Sequence, residues 1–319
     1  MTQVGPPLPG DDHELAAVEA ELYQLDPTGD RVASVLRNTL DQLYDGQHTG
    51  RWSYDQLHKT EKTHMGTLVE INLHRAFDFA DGDATDYRIA GIEVDCKYSM
   101  FFGGWEIPPE AVGHICLVIT ASDKDSRWQA GLIRVREEYL RSGANRDAKR
   151  QLKAADRGRI RWLWPDHGQL APNVFLALSD DERERIFSAQ ARWGHQHGQA
   201  RVNELFRTVQ GRTIRRAELA TVAQQDDFMK RARASGGART ILQPEGIVVL
   251  GHQDSDPTVA EALGLPVPRK GEFVASRVAP RNQEPDSNAV QIDNQWWVVA
   301  HPEDPIVVAP NVPKHLPTS

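Results

Sequence analysis

The sequence predicts an α/β protein in two parts. A mixed sheet flanked by helices comes first, and a smaller unit of helix-turn-helix type with a β wing follows. Three observations carry this reading. Amphipathic helical periods occupy the chain as far as Phe79, and strand-like apolar runs succeed them. At 319 residues the length suits about two domains. Beyond a turn-rich stretch at 162–172, several short helices carry arginines near their ends and lead into a strand.

Residues 13–25 place Leu15, Val18, Leu22 and Leu25 at helical spacing until Asp26-Pro27-Thr28-Gly29 breaks the run. Residues 30–44 gather Val32, Val35, Leu36, Leu40 and Leu43 on one helical face, and Asp45-Gly46 stops it. A third helix is expected over about 60–79, with Leu68, Val69, Ile71, Leu73, Phe77 and Phe79 as its apolar residues. Strands are expected at 92–97, 114–120 and 130–136. The near-continuous apolar run from His114 to Thr120 suits a central strand buried on both faces. A helix is expected near 136–152. Residues 1–162 thus form a first domain and 163–171 a linker, and 172–319 form the second domain. In the second domain the reading gives helices at 179–191, 200–206, 215–222 and 228–234, then strands at 246–250, 273–279, 289–292 and 296–300.

Composition bounds the function. Charged residues make up 26% and hydrophobic residues 39%, ordinary for a globular protein. No apolar run is long enough for a transmembrane helix, and the N-terminus has neither the basic nor the apolar region of a signal peptide. Cys96 and Cys116 sit in strand-like runs and read as buried thiols of a reducing cytoplasm, without zinc-site spacing. His195-x-His197 has no further ligand at a fitting spacing and reads as a polar turn. Net charge is −8, which argues against a polyanionic partner until its distribution is considered. Residues 1–170 carry a net −7, whereas residues 192–239 hold ten basic and four acidic side chains. A basic stripe on an acidic chain is a candidate DNA footprint. Its candidates are Arg201, Arg207, Arg212, Arg215, Arg216, Lys230, Arg231, Arg233 and Arg239. The competing reading is a helical domain with a solvated basic face.

The chemistry concentrates in Thr85-Asp-Tyr-Arg-Ile-Ala-Gly-Ile-Glu-Val-Asp-Cys-Lys97, with Glu70 upstream. Alternation over residues 92–97 puts Asp95 and Lys97 on one strand face, about 6.6 Å apart at a rise of ~3.3 Å per residue. A bend at Ala90-Gly91 brings Asp86 back beside Asp95. Paired carboxylates suit a hard cation such as Mg²⁺, which polarises a phosphodiester and activates water, and a lysine can orient that water or stabilise developing charge. The arrangement is that of the PD-(D/E)-x-K nucleases. Asp-x-Lys also occurs on ordinary solvated strands, and Glu70 can be read either as an exposed helix-edge residue or as a third acid aimed at the metal. Leu43-Tyr44-Asp45-Gly46-Gln47-His48 resembles the ligase signature Lys-x-Asp-Gly-x-Arg, but leucine and histidine replace the nucleophilic lysine and the arginine. Leu43 reads as core.

Longer stretches carry a wider resemblance: TLDQLYDG (39–46), KTEKTH (59–64), GTLVEINLHR (66–75), IAGIEVDCK (89–97), GHICLVI (113–119), HGQARVNELFR (197–207), TVAQQDDFMKR (221–231), PEGIVVLGHQD (244–254) and LGLPVPRKG (263–271). In these the chain resembles the NaeI family of restriction endonucleases from about Leu25 to Pro310. The resemblance implies a restriction-endonuclease-like first domain and a winged-helix, CAP-like second domain of the kind called Topo. It implies a bacterial, cytoplasmic, type IIE restriction enzyme acting as a homodimer. Such an enzyme uses Mg²⁺ to cut double-stranded DNA at GCCGGC and is stimulated by a second copy of the site. The catalytic set maps onto Glu70, Asp86, Asp95 and Lys97, with Asp86, Asp95 and Glu70 as metal ligands and the Cys96 carbonyl as a further one. A structure-specific repair or recombination nuclease, or a DNA-binding regulator with a spent nuclease domain, are the alternative readings.

Overall fold

The computed structural model describes residues 12–316 apart from 167, 192–196, 234, 284, 286 and 287. Two compact units emerge. The first joins the described residues up to Leu43 with Tyr54–Pro172, and the second joins Tyr44–Ser53 with the chain from Asn173 onward.

In the first unit, α1 (His13–Leu25), α2 (Asp30–Tyr44) and α4 (Lys59–Phe77) form where the periodicity expects helices. Asp12 caps α1 by accepting the Leu15 N–H at 3.0 Å, which satisfies one orphan donor of the first turn. The apolar face of α2 is buried, Leu43 included. Asp45 takes a left-handed conformation and ends α2, and one further turn, α3 (Gly46–Thr49), follows in the second unit. The sheet holds six strands in chain order: β1 (Ala80–Asp81), β2 (Tyr87–Ile89), β3 (Ile92–Ser99), β4 (Ile115–Ser122), β5 (Arg127–Arg134) and β6 (Arg161–Leu163). Only β3 and β4 run parallel. Residues 115–119 of β4 are all buried, as expected for a strand covered on both faces.

The helix expected near 136–152 does not form. A 3₁₀ turn at Glu137–Tyr139 is followed by antiparallel bridges Leu140↔Leu152 and Ile107↔Arg150. Leu140 and Leu152 do enter a core with Trp105, Ile107 and Val135, but the residues between them are polar and offer no apolar stripe. The turn-rich stretch past Trp162 is bound to the sheet. Leu163 lies in β6, the Gly168 carbonyl accepts from Trp128 N–H at 2.9 Å, and the Trp164 indole donates to the Asp26 carbonyl at 2.7 Å.

The second unit contains α5 (Asp180–Ser188), α6 (His197–Thr208), α7 (Arg216–Ala223), α8 (Phe228–Ala232), α9 (Ala238–Ile241) and α10 (Asp256–Ala262). Its sheet comprises β7 (Thr213–Arg215), β8 (Ile247–Leu250), β9 (Glu272–Arg281), β10 (Val290–Ile292) and β11 (Gln295–Val299). The long β9 pairs with β7, β8 and β11 in turn, always antiparallel. Val202, Phe206, Leu219, Val222, Phe228 and Phe273 build the core between helices and sheet. Glu218 is buried there. It accepts the Arg215 and Val174 N–H groups at 2.7 and 3.0 Å, and the Arg215 guanidinium at 2.8 Å. His195 lies outside the described residues, and His197 opens α6. Sequence periodicity passed over α3, α9, α10, β1, β6 and β7, most of which are too short to show a repeat.

Candidate active site

The β2–β3 hairpin turns through Ala90 and Gly91, both with positive φ (52° and 75°). Two consecutive left-handed residues make the turn whose twist matches its strands. Tyr87 thereby pairs with Val94, and Asp86, one residue earlier, comes back against the middle of β3. Its Oδ2 accepts the Cys96 N–H at 2.7 Å.

Lys97 is the hub. Its Nζ lies 2.9 Å from Asp95 Oδ1, 3.3 Å from Asp86 Oδ2 and 2.8 Å from the Cys96 carbonyl oxygen. Glu70 stands half-buried on α4, which packs on β3. Its backbone carbonyl accepts the Tyr87 hydroxyl at 2.7 Å, so the helix is bolted to the strand next to Asp86. Among the four expected residues, the structure therefore brings Asp86, Asp95 and Lys97 into direct contact, with Glu70 close enough to feel their charges.

Electrostatics follow from this crowding. Burial pushes the Asp95 carboxyl up to about 6, against the pull of Lys97. Burial also raises Glu70, and the Asp86 charge adds to the rise. Burial alone would lower Lys97, but the Asp95 and Asp86 carboxylates outweigh it and hold the ammonium charged. Three carboxylates against one ammonium leave an excess of negative charge that a divalent cation would complement. The oxygens fit such an ion. Asp86 Oδ2, Asp95 Oδ1 and the Cys96 carbonyl already converge on one positive centre, and all are hard donors. Among the described residues no three acidic, histidine or cysteine side chains form a ready-made metal cluster, so the backbone carbonyl matters to the set.

The supporting roles of three residues are not legible in the sequence. Glu93 collects the N–H groups of Asp83, Ala84 and Thr85 at 2.9–3.1 Å and so fixes the loop that delivers Asp86. The alternation that pairs Asp95 with Lys97 also puts Glu93 on that face, which signals its place but not its role. Cys116 stands across the β3–β4 ladder from Asp95, its thiol 3.7 Å from Asp95 Oδ2. Tyr87 is the third, and neither it nor Cys116 has a linear signature.

The basic candidates of the second unit divide into two groups. Arg201 donates to the Val222 and Ala223 carbonyls at 2.6 and 2.8 Å and closes the end of α7. Arg207 pairs with Glu245 at 2.7 Å, Arg215 with Glu218 at 2.8 Å, Arg231 with Asp227 at 2.7 Å, and Arg239 with the buried Asp256. Arg212, Arg216, Lys230 and Arg233 are exposed, with Arg216 lying over the Phe228 ring.

The family model for restriction endonuclease NaeI matches residues 16–308. A curated type II restriction enzyme NaeI from Lentzea aerocolonigenes is 62% identical over 303 residues, covering 95% of each chain. No helix among the described residues is long and apolar enough to cross a membrane. The hairpin acids and their lysine therefore lie within a known type of DNA-cutting enzyme: the chain belongs to the NaeI restriction endonuclease family and is a type II site-specific deoxyribonuclease.

Proposed function

We propose that the chain cuts both strands of DNA at GCCGGC with Mg²⁺, using Asp86, Asp95, Lys97 and Glu70. The observation that carries this is the convergence of Asp86 Oδ2, Asp95 Oδ1 and the Cys96 carbonyl on the Lys97 ammonium. Asp86, Asp95 and the Cys96 carbonyl would hold the ion, with Glu70 assisting directly or through a water. The ion supplies charge neutralisation at the phosphate and a more acidic water. Lys97, kept protonated by its two carboxylates, orients the attacking water and faces the charge that grows on phosphorus. In-line attack leaves a 3′-hydroxyl and a 5′-phosphate. The target sequence comes from the resemblance to the NaeI family.

The second unit is an effector domain of the winged-helix kind in this proposal, and the enzyme works as a homodimer in the bacterial cytoplasm. The element order α6-β7-α7-α8-α9-β8-β9, with β9 flanked by both β7 and β8, supports that reading. A second DNA copy bound there would switch on cleavage, a coupling of typically ~1–3 kcal/mol. Digestion of plasmids with one or several GCCGGC sites, with Mg²⁺ and with or without a short site-bearing duplex, tests both parts. Discrete fragments, slow cutting of the single-site plasmid and acceleration by the duplex are expected. Nicks at junctions only, or no cutting, would remove the proposed target and cofactor. Equal rates on both plasmids with no response to duplex would remove the effector role.

A further inference from the structure

Phe101 and Phe102 lie just past the end of the catalytic strand, beyond Met100, and are exposed by 79% and 52%. Phe101 is the most exposed large apolar side chain among the described residues. The loop that presents them is held tightly. Ser99 Oγ donates to the Phe101 carbonyl at 2.8 Å and accepts the Phe101 N–H at 3.1 Å, and the Phe101 carbonyl also accepts from Gly104 N–H at 3.0 Å. Gly103 has φ +78°, and a Cβ there would fall 2.1 Å from the Arg157 guanidinium carbon, so only glycine lets Arg157 close over the loop. Arg157 donates to the Gly103 carbonyl at 3.2 Å and stands 5.7 Å from the Phe102 ring centre. Behind Phe102 lie Trp105 and Trp162, ring centres 5.5 and 5.8 Å away. An aromatic pair held in water by a bonded loop, with an aromatic floor and a cation beside it, has the chemistry of a base-stacking surface.

We propose that Phe101 and Phe102 press against the bases of the bound DNA next to the cut, Phe101 as a wedge at a base step and Phe102 as its support. The inference rests on the catalytic reading of Asp95 and Lys97. Ser99 continues the alternation of Asp95 and Lys97, so the residue that ties down Phe101 shares the catalytic face of β3. Phe101 lies four positions on from Lys97. At most ~3.6 Å per residue keeps the aromatic ring's backbone within ~14 Å of the catalytic lysine. At 3.4 Å per base pair, that is about four base pairs from the scissile phosphate. The occupant is DNA because the patch is continuous with the site that must bind it and carries a cation. Apolar side chains set between base steps unstack and kink the duplex.

The test is binding to a short GCCGGC duplex carrying 2-aminopurine at flanking positions, without divalent ion, so that it does not depend on cleavage. The full-length protein should raise the fluorescence of the probe at one step near the cut. F101A should lose that signal and bind roughly 5- to 150-fold more weakly, the range of one lost aromatic–base contact. F101W should retain both. Phe101 supports no core, so F101A is expected to fold; F102A is the less clean variant because its ring packs on Trp105 and Trp162. Binding and fluorescence unchanged in F101A would overturn the proposal. So would unchanged DNA binding together with a changed oligomeric state in F101A/F102A, which would assign the patch to a second copy of the chain. Loss of the stacking signal in F101A from a protein that does not cut DNA would keep the base contact but overturn its place beside a cut, which separates failure of the catalytic reading from failure of the stacking contact.

Discussion

Lys97 Nζ and Asp95 Oδ1 stand 2.9 Å apart on one face of β3, and the same ammonium reaches Asp86 across the hairpin. One lysine thus offsets part of the charge of two carboxylates that repel a phosphate. Lys97→Ala should lower cleavage by roughly 10²–10³-fold, as removal of one charge-stabilising donor commonly does. Asp95→Asn should cost more, since it removes a ligand of the proposed ion. Metal-free DNA binding, measured by gel shift, should survive in both. Cleavage by Lys97→Ala within a few-fold of wild type would sink the assignment.

Arg37 on α2 and Asp123 beyond β4 are each 3% exposed and hydrogen-bonded to one another, and Arg37 also reaches Asp41 at 2.9 Å. Removing Arg37 takes from the buried Asp123 a charged partner in the core. Arg37→Ala should therefore cost on the order of 3–5 kcal/mol of stability, read from urea unfolding. The double change Arg37→Met with Asp123→Asn should recover part of that loss. If Arg37→Ala proves as stable as wild type, the pair contributes nothing to holding α2 against the sheet.

Acid should weaken the anchoring of α1. The Arg134 guanidinium holds the Asp12 carboxyl below its usual value of 3.8, with the Leu15 N–H helping and burial opposing. A depressed pKa in the fold means stability that is present above pH about 4 and lost as pH falls through the folded value. Asp12→Asn should lower the melting temperature at pH 7, and the gap to wild type should narrow as pH drops below 4. A constant gap across that window would show that the ionised carboxylate is not what holds the helix.

Cys96 and Cys116 are buried and free, and burial pushes both thiols up. Neither is a ready thiolate. Thiol reagents should label almost nothing in the native protein near neutral pH and two sites in urea. Rapid native labelling would mean that the sheet opens at Asp95, whose neighbour on β4 is Cys116.

Of the basic-stripe candidates in the second unit, Arg212, Arg216, Lys230 and Arg233 are exposed and can meet phosphate without first breaking an ion pair described here. If the second unit binds the proposed effector duplex, Arg233→Ala should weaken that binding for all sequences and shrink its salt slope by about 0.9 for one phosphate contact. Arg207→Ala, which breaks the Glu245 pair, should lower stability instead. An unchanged salt slope across the four single variants would remove these residues from the proposed effector surface.

The sequence by itself determined the elements whose side chains repeat. Helical periods located α1, α2 and α4, alternation located β3, and an unbroken apolar run marked β4 as central. It also placed Asp95 and Lys97 on one face and brought Asp86 back through Ala90-Gly91, because strand parity and a two-residue turn are local properties. Tertiary structure alone decided what depends on register and packing. Cys116 meets Asp95 only because β3 and β4 run parallel in that register. Residues 136–152 abandon the expected helix because Leu140 and Leu152 find buried partners by bridging to each other. The basic stripe splits into paired and exposed arginines because Glu245, Asp227 and Asp256 arrive through the fold, at distances along the chain that no linear pattern encodes.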